Sequence, residues 1–372
     1  MQTLLAKEDS TFKDSAELFT RNYLNSSKET NLKGLWQGLC KNKFISKENS
    51  FLKDILLTQA VCKVMPGLGL FLLTQYTCIE IIKNFANDTL RKKYLDKLYS
   101  GENIACFSLT EPNAGSDVTM IETMGKMGKM GKMGKNQNDF WAISGHKIWA
   151  SNGSISDIII TLAQTKELKD KSGITCFLIP SDSPDVKINP DTPKLGVKIT
   201  PSNEIIMNNL EVTPENQIGN IGDGIKIALS AITVGRIFCS AQAAGLLEGI
   251  LNESVKYSTK RNQFGKSISD LEAIQWYLAD MSKDLDASTL LLYKACFVKE
   301  NQKEDLNKIS SMAKYFSTSQ AQYHATKAVQ IHGGAGLNED SYVANAYKDA
   351  KVLEIYEGTN EIQKLIISRE LL

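Results

Sequence analysis

Glu357 stands between an aromatic residue and a glycine in Ile355-Tyr356-Glu357-Gly358-Thr359-Asn360-Glu361-Ile362-Gln363, at the mouth of a helix expected from Thr359 onward. A single carboxylate beside a residue without a side chain can be aimed at a carbon acid as a general base. Far upstream lies Phe107-Ser108-Leu109-Thr110-Glu111-Pro112-Asn113-Ala114-Gly115-Ser116-Asp117. Its backbone amides and the Thr110 and Ser116 hydroxyls can donate hydrogen bonds, and Gly115 permits a ligand to approach the backbone. His146-Lys147-Ile148-Trp149-Ala150-Ser151-Asn152-Gly153 adds an aromatic face and a hydroxyl. Arg261-Asn262-Gln263-Phe264-Gly265 sets a guanidinium beside an amide and a ring, which suits a pyrophosphate and an adenine. Each segment alone has an ordinary reading. Glu357 could be a surface acid favoured by a helix dipole, the upstream loop any turn, and Trp149 a core residue at a strand end.

Other chemistries are excluded or unsupported. Gly265-Lys266-Ser267 is no phosphate loop, because position 260 is Lys where that motif needs Gly, and no Gly-x-Gly-x-x-Gly follows a strand. The seven cysteines are scattered without a Cys-x-x-Cys pair, which suits free buried thiols in a reducing compartment. His146, His324 and His332 are too few and too far from a cysteine cluster to indicate zinc, so no metal is expected. A net charge of +1 argues against a broad nucleic-acid surface. No uninterrupted apolar run has the roughly 18–20 residues of a membrane span, and the stretch around Val64–Tyr76 reads as a buried helix. Early acids and lysines fit neither a signal peptide nor a transit peptide, so a cytoplasmic enzyme is expected.

The elements that must position these residues fall into three blocks, an α+β multidomain class. Residues 1–100 read as an N-terminal helical domain, with Asn87-Asp88 capping a helix whose Leu90, Tyr94, Leu95 and Leu98 share a face and which Gly101 closes. Residues 101–220 hold short β-rich runs (140–145, 157–162, 174–180, 204–207) and seven of the eight prolines, hence a β domain, barrel or sandwich. Residues 221–372 lack proline and carry long helical patterns at 225–258, 269–300, 304–331 and from 359, hence a four-helix bundle. Small residues on the first of these, Gly235, Ala241, Ala244, Gly245 and Gly249 among them, allow close backbone approach. Met124–Lys135 repeats Met-Gly-Lys four times and reads as an expanded surface loop between two strands.

Together the two segments first quoted resemble the signature motifs of the acyl-CoA dehydrogenase family, from residue 80 or so to 372 and closest to its short-chain branch. The resemblance implies helical, β and helical-bundle domains in that order, and FAD as cofactor. It places Phe107, Leu109, Thr110, Gly115 and Ser116 on the flavin, with Ser116 also near the CoA arm. Trp149 would pack on the flavin ring, with Ser151 near N5. Arg261 would reach the FAD of a neighbouring subunit, and Gln263 and Phe264 would add cofactor contacts. Gln330, Gly333 and Gly334, in Gln330-Ile331-His332-Gly333-Gly334-Ala335-Gly336, would meet the adenosine end, and Thr359 and Glu361 would add FAD contacts. Thr233, Arg236 and Gly358 would serve the acyl-CoA. Isovaleryl-type and long-chain members carry their base where this chain has Gly235, which leaves Glu357 as the candidate.

The implied reaction is α,β-dehydrogenation of an acyl thioester. Glu357 takes the α-proton and the β-hydride passes to flavin N5, while hydrogen bonds polarise the carbonyl. Thr233, where relatives often have Asp, Lys198-Ile199-Thr200 in place of Arg-Gly-Ser, and an apparently abbreviated N-terminal domain keep a second reading open. In it an acyl or aminoacyl group is tethered to a carrier protein. A non-catalytic paralogue and an oxygen-using oxidase are further alternatives. The resemblance also implies electron-transfer flavoprotein as acceptor and a homotetramer or homodimer.

Overall fold

The computed structural model describes residues 5–26, 30–130, 138–166, 173–303 and 305–372. Five helices come first: α1 (Lys7–Ser26), α2 (Leu32–Lys41), α3 (Phe51–Val64), α4 (Leu68–Phe85) and α5 (Asp88–Ser100). Their ends follow local chemistry. The Asn31, Ser50 and Asn87 side chains accept from the backbone N–H three residues on, and Gly101 closes α5 at φ 79°. Helix α4 is buried along nearly its whole length, as its apolar composition requires.

Eight strands follow: β1 (Ala105–Ser108), β2 (Met124–Met130), β3 (Asn138–Ser151), β4 (Ile158–Gln164), β5 (Ile174–Pro180), β6 (Val186–Asp191), β7 (Ser202–Val212) and β8 (Gln217–Ile218). They form one sheet ordered β6-β7-β3-β1-β4-β5-β8, with β2 pairing both β3 and β4. Every residue of β4 is buried because both faces are covered. Ile159 and Ala163 join Trp141, Phe177 and Met207 in a core inside the β domain, while Ile158, Ile160 and Leu162 face the larger core shared with the helices.

The Met-Gly-Lys repeat departs from the expected loop. Residues 124–130 are β2, in antiparallel register with β3 from Met124↔Ser144 to Met130↔Asn138. Residues 131–135 of the repeat lie outside the described residues. Pairing along the long β3 supplies what the sequence's poor intrinsic propensity does not, and Gly128 fits where a Cβ would strike the Phe140 ring at 2.6 Å.

The last block is α6 (Gly224–Lys260), a short hairpin of β9 (Asn262–Gln263) and β10 (Lys266–Ser267), α7 (Glu272–Glu300), α8 (Leu306–His332), α9 (Tyr342–Leu353) and α10 (Asn360–Arg369). Helix α9 was not anticipated. By length and composition α6 could cross a membrane, but 72% of its most apolar window is buried within the molecule. It is the central element, packed by α3, α4, α7, α8 and α9. Its small residues permit this: a Cβ on Gly245 would lie 2.4 Å from the Gln59 carbonyl oxygen of α3.

Candidate active site

Glu357 lies in the turn between α9 and α10, with left-handed backbone at φ 57° followed by Gly358 at φ 83°. That turn carries the carboxylate against the backbone of α6. A Cβ on Gly235 would sit 2.4 Å from Glu357 Oε2, so the acid fills the space that a side chain at 235 would take. The residue as a whole is half-buried, yet Oε2 is shut from solvent and has no hydrogen-bond partner. Burial pushes the Glu357 pKa up to about 7 against the pull of Arg236 and Lys314. Arg236 is 4% exposed and donates from Nη1 to Asn307 Oδ1 at 2.7 Å and to Ser311 Oγ at 3.4 Å. Burial lowers its pKa to about 10 while Glu357 opposes the fall, so it stays cationic at neutral pH. Next to the acid, the Tyr356 hydroxyl donates to Gln242, whose amide donates to the Pro66 carbonyl at 2.8 Å.

The structure thus brings Gly235, Arg236, Glu357 and Gly358 together. Thr233, one half-turn earlier on α6, spends its hydroxyl on the Leu229 carbonyl at 2.8 Å. Thr359 caps α10 by accepting from the Ile362 N–H at 3.4 Å, and Glu361 is held below the usual carboxylate range by its own backbone N–H and the Thr359 hydroxyl.

A second constellation is built at the strand ends. Phe107 of β1 sits opposite Ser151 of β3, and the Ile148 N–H donates to the Thr110 carbonyl at 2.9 Å. The β3–β7 register shifts between Lys147 and Ala150, and within that irregularity Trp149 takes φ 57° and stands 52% exposed. A pair absent from the sequence-level site fixes this arrangement. The buried Lys147 Nζ donates to Glu111 Oε1 at 2.6 Å and to the Leu109 carbonyl at 3.3 Å. Glu111 also accepts from the Thr123 hydroxyl at 2.6 Å and from the Glu122 N–H. Burial draws Lys147 down to about 8 and works against Glu111, but the ammonium and these donors hold Glu111 below its ordinary value, so both are charged at neutral pH. Leu109 is buried, whereas Gly115 and Ser116 are exposed, with nothing within 4 Å of a Cβ at Gly115.

A third cluster lies at the far end of the bundle. Arg261, Tyr257, His332, Ala335 and Ser341 line a cavity of about 580 Å³. The His332 ring stacks on Tyr257 at 4.3 Å between centroids. Gln330 lies in the last turn of α8 here, and Gly333 and Gly334 leave open space where a Cβ would be. Gln263 and Phe264 form the exposed hairpin beside it, with Phe264 at φ 53° and 91% exposed. The stretch of α6 from Gly235 to Lys260 spans about 37 Å at the helical rise. Arg261 therefore cannot sit at the same place as Glu357.

Two of the three surfaces suit parts of a flavin dinucleotide, an exposed indole beside open backbone and an aromatic wall with a guanidinium, and the third, an enclosed acid, suits a proton acceptor. Residues 106–210 match the acyl-CoA dehydrogenase middle domain, and residues 222–372 match the acyl-CoA dehydrogenase C-terminal domain. An acyl-CoA dehydrogenase of Bacillus subtilis (strain 168) is 37% identical over 86% of this chain and 82% of its own length. The structure of butyryl-CoA dehydrogenase from Megasphaera elsdenii superposes with a TM-score of 0.91 at 30% identity, over 99% of this chain and 98% of that one. The prolyl acyl carrier protein oxidase AnaB gives 0.89 at 25% identity, over 99% of both chains. The chain belongs to the acyl-CoA dehydrogenase family. It is a FAD-dependent oxidoreductase of the class that acts on CH–CH bonds.

The sequence-level site missed Glu111, Lys147, Gln242 and Lys314. Signals existed for three: Glu111 and Lys147 are charged residues inside the segments expected to meet the flavin, and Lys314 interrupts a buried stripe of Ser310, Ser317, Thr318 and Ala321 on α8. The packing against Gly235 yields a prediction. Gly235→Ala forces the Glu357 carboxylate to move, and flavin reduction by substrate is expected to slow on the order of a hundredfold with FAD still bound. Stopped-flow measurement of flavin bleaching checks this, and a rate within twofold of wild type would show the contact to be unimportant.

Proposed function

We propose that Glu357 is the general base of an α,β-dehydrogenation of an acyl-CoA, with a short acyl chain as the first candidate. One observation carries the reading: an enclosed, partnerless carboxylate beside two cations, with its pKa raised to about 7. Burial without a partner makes the carboxylate a stronger base than an exposed glutamate, which brings it closer to the weak acidity of a thioester α-carbon. Among the described residues no group accepts from the Glu357 N–H, so that donor is free to polarise a thioester carbonyl. Trp149, Thr110, Ser151 and the open backbone at Gly115 would hold the flavin, and Arg261 with the 330–336 turn the adenosine end. When bound there, FAD would supply the acceptor for the β-hydride. The distance of Arg261 and Phe264 from Glu357 supports a homo-oligomer, a dimer or tetramer, in which these residues serve another copy's FAD. Exposed Trp276, Leu290 and Phe297, at multiples of seven along α7, support a covering subunit. The proposed acceptor is electron-transfer flavoprotein. The proposed compartment is the cytoplasm, consistent with seven unpaired buried thiols.

The test is the visible spectrum of the FAD-loaded protein under anaerobic conditions, with short, medium and branched acyl-CoAs. Bleaching by one of them is the expected result, and a protein unable to take up FAD would overturn the reading. The bleaching rate should rise with pH through a midpoint near 7, because the protonated acid below it cannot accept a proton. A flat profile between pH 6 and 8 would remove Glu357 as the titrating base. The likeness to AnaB supports a second reading, an acyl or aminoacyl group on a carrier protein. Bleaching by a carrier-loaded thioester and by no acyl-CoA would establish it.

A further inference from the structure

The turn that carries Glu357 is not self-supporting. Two successive left-handed residues, one of them not glycine, cost of order 1–2 kcal/mol unless the surroundings impose them. Most of what imposes them is one side chain of α8. The fully buried Lys314 Nζ donates to the Glu354 carbonyl at 3.1 Å, the Gly358 carbonyl at 2.9 Å and Asn360 Oδ1 at 2.8 Å. An ammonium has three N–H groups, and all three are spent on the two ends of this one turn. Thr318 donates to the same Asn360 oxygen at 3.0 Å, and Asn360 donates to Ser319 Oγ at 3.2 Å. From the other side Gln363 Nε2 donates to the Glu357 and Gly358 carbonyls at 3.1 and 2.8 Å.

We propose that Lys314 is a positioning residue for the reaction: it clamps the turn so that the Glu357 carboxylate lies against Gly235, and its ammonium joins Arg236 in favouring the ionised carboxylate. This rests on Glu357 being the base. Among the described residues Lys314 makes no salt bridge. The titratable groups that face the pair are Arg236 and Cys239 on α6, Glu354 and Tyr356 on the turn, and Glu361 on α10. Burial lowers the Lys314 pKa, Cys239, Glu357 and Glu354 oppose the fall, and Arg236 adds to it. Removing this cation leaves Arg236 as the one favourable neighbour of the Glu357 carboxylate, so its pKa climbs further.

The role separates into a charge part and a clamp part, which different variants isolate. Lys314→Met loses both. Gln363→Leu loosens the clamp without changing charge. Lys314→Gln keeps a donor but no charge, and serves if Lys314→Met does not fold. The FAD-loaded proteins are compared by the pH dependence of flavin bleaching and by hydrogen–deuterium exchange at residues 355–360. Lys314→Met is expected to slow bleaching on the order of a hundredfold. Its midpoint should move up by about one pH unit, as should that of Lys314→Gln. Gln363→Leu should slow bleaching with an unmoved midpoint. Exchange should quicken in Lys314→Met and Gln363→Leu. A Lys314 variant with the wild-type midpoint and wild-type exchange overturns the proposal. Should wild type itself never bleach, the dehydrogenase reading fails by itself, and unchanged exchange in Lys314→Met still overturns the clamp.

Discussion

Glu357→Gln will keep the spectrum of bound FAD and lose its bleaching by substrate, by a factor of about 10²–10⁴ or more. The carboxamide has nearly the shape of the carboxylate, so it fits the same space against Gly235, but it cannot accept the α-proton. The variant should also fold well. Glu357 Oε2 has no partner to lose, and a neutral amide is less costly to enclose than a charge. The sign follows from the raised pKa. The folded protein binds the Glu357 proton more tightly than the unfolded chain does, so ionisation above pH 7 or so weighs against the folded wild type. At pH 8 the variant should therefore melt no lower than wild type. Normal turnover in this variant would remove Glu357 from its role, and loss of FAD would mean that the site had not been tested at all by activity.

Lys147→Met should be the most damaging single change to the proposed flavin surface. It strands Glu111, 3% exposed, without its cation, and breaking one partner of such a buried pair typically costs about 3–5 kcal/mol. The bonds from Thr123 and Glu122 remain, so protonation of Glu111 offers partial relief. The consequence reaches past stability. Lys147 also holds the Leu109 carbonyl, so the segment that carries Thr110, Gly115 and Ser116 loses its tie to the strand that carries Trp149 and Ser151. Chemical unfolding should show the loss, and titration with FAD should show weaker binding. Replacing both partners, Lys147→Met with Glu111→Leu, should recover much of the stability, because no uncompensated charge remains. A single variant that loses less than about 1 kcal/mol would place the pair among ordinary surface ion pairs in its effect.

Legibility in the sequence followed the range of the interaction. The caps at Asn87 and Gly101 and the proline-free helices were readable because each depends on residues within a few positions. The Met-Gly-Lys repeat reads as a loop in the sequence because the strand at 124–130 exists through pairing with β3, which no local preference of Met, Gly or Lys encodes. Helix α9 carries only a weak local signal, the Ser341 cap that accepts from the Ala344 N–H.

The sequence by itself determined the chemical cast: an acid between an aromatic residue and a glycine, a loop rich in donors, a tryptophan with a nearby hydroxyl, and an arginine beside a glutamine. Side-chain type and spacing along the chain suffice for that. Only the tertiary structure decided what the cast can do. It set Glu357 against Gly235 on a helix distant in sequence, which encloses the carboxylate and raises its pKa. It gave Lys314 the turn to hold, and it put Arg261 about 37 Å along α6 from the acid. Burial, electrostatic neighbours and reach all depend on which elements pack together, and that is settled by the shared core around α6, which no single segment contains.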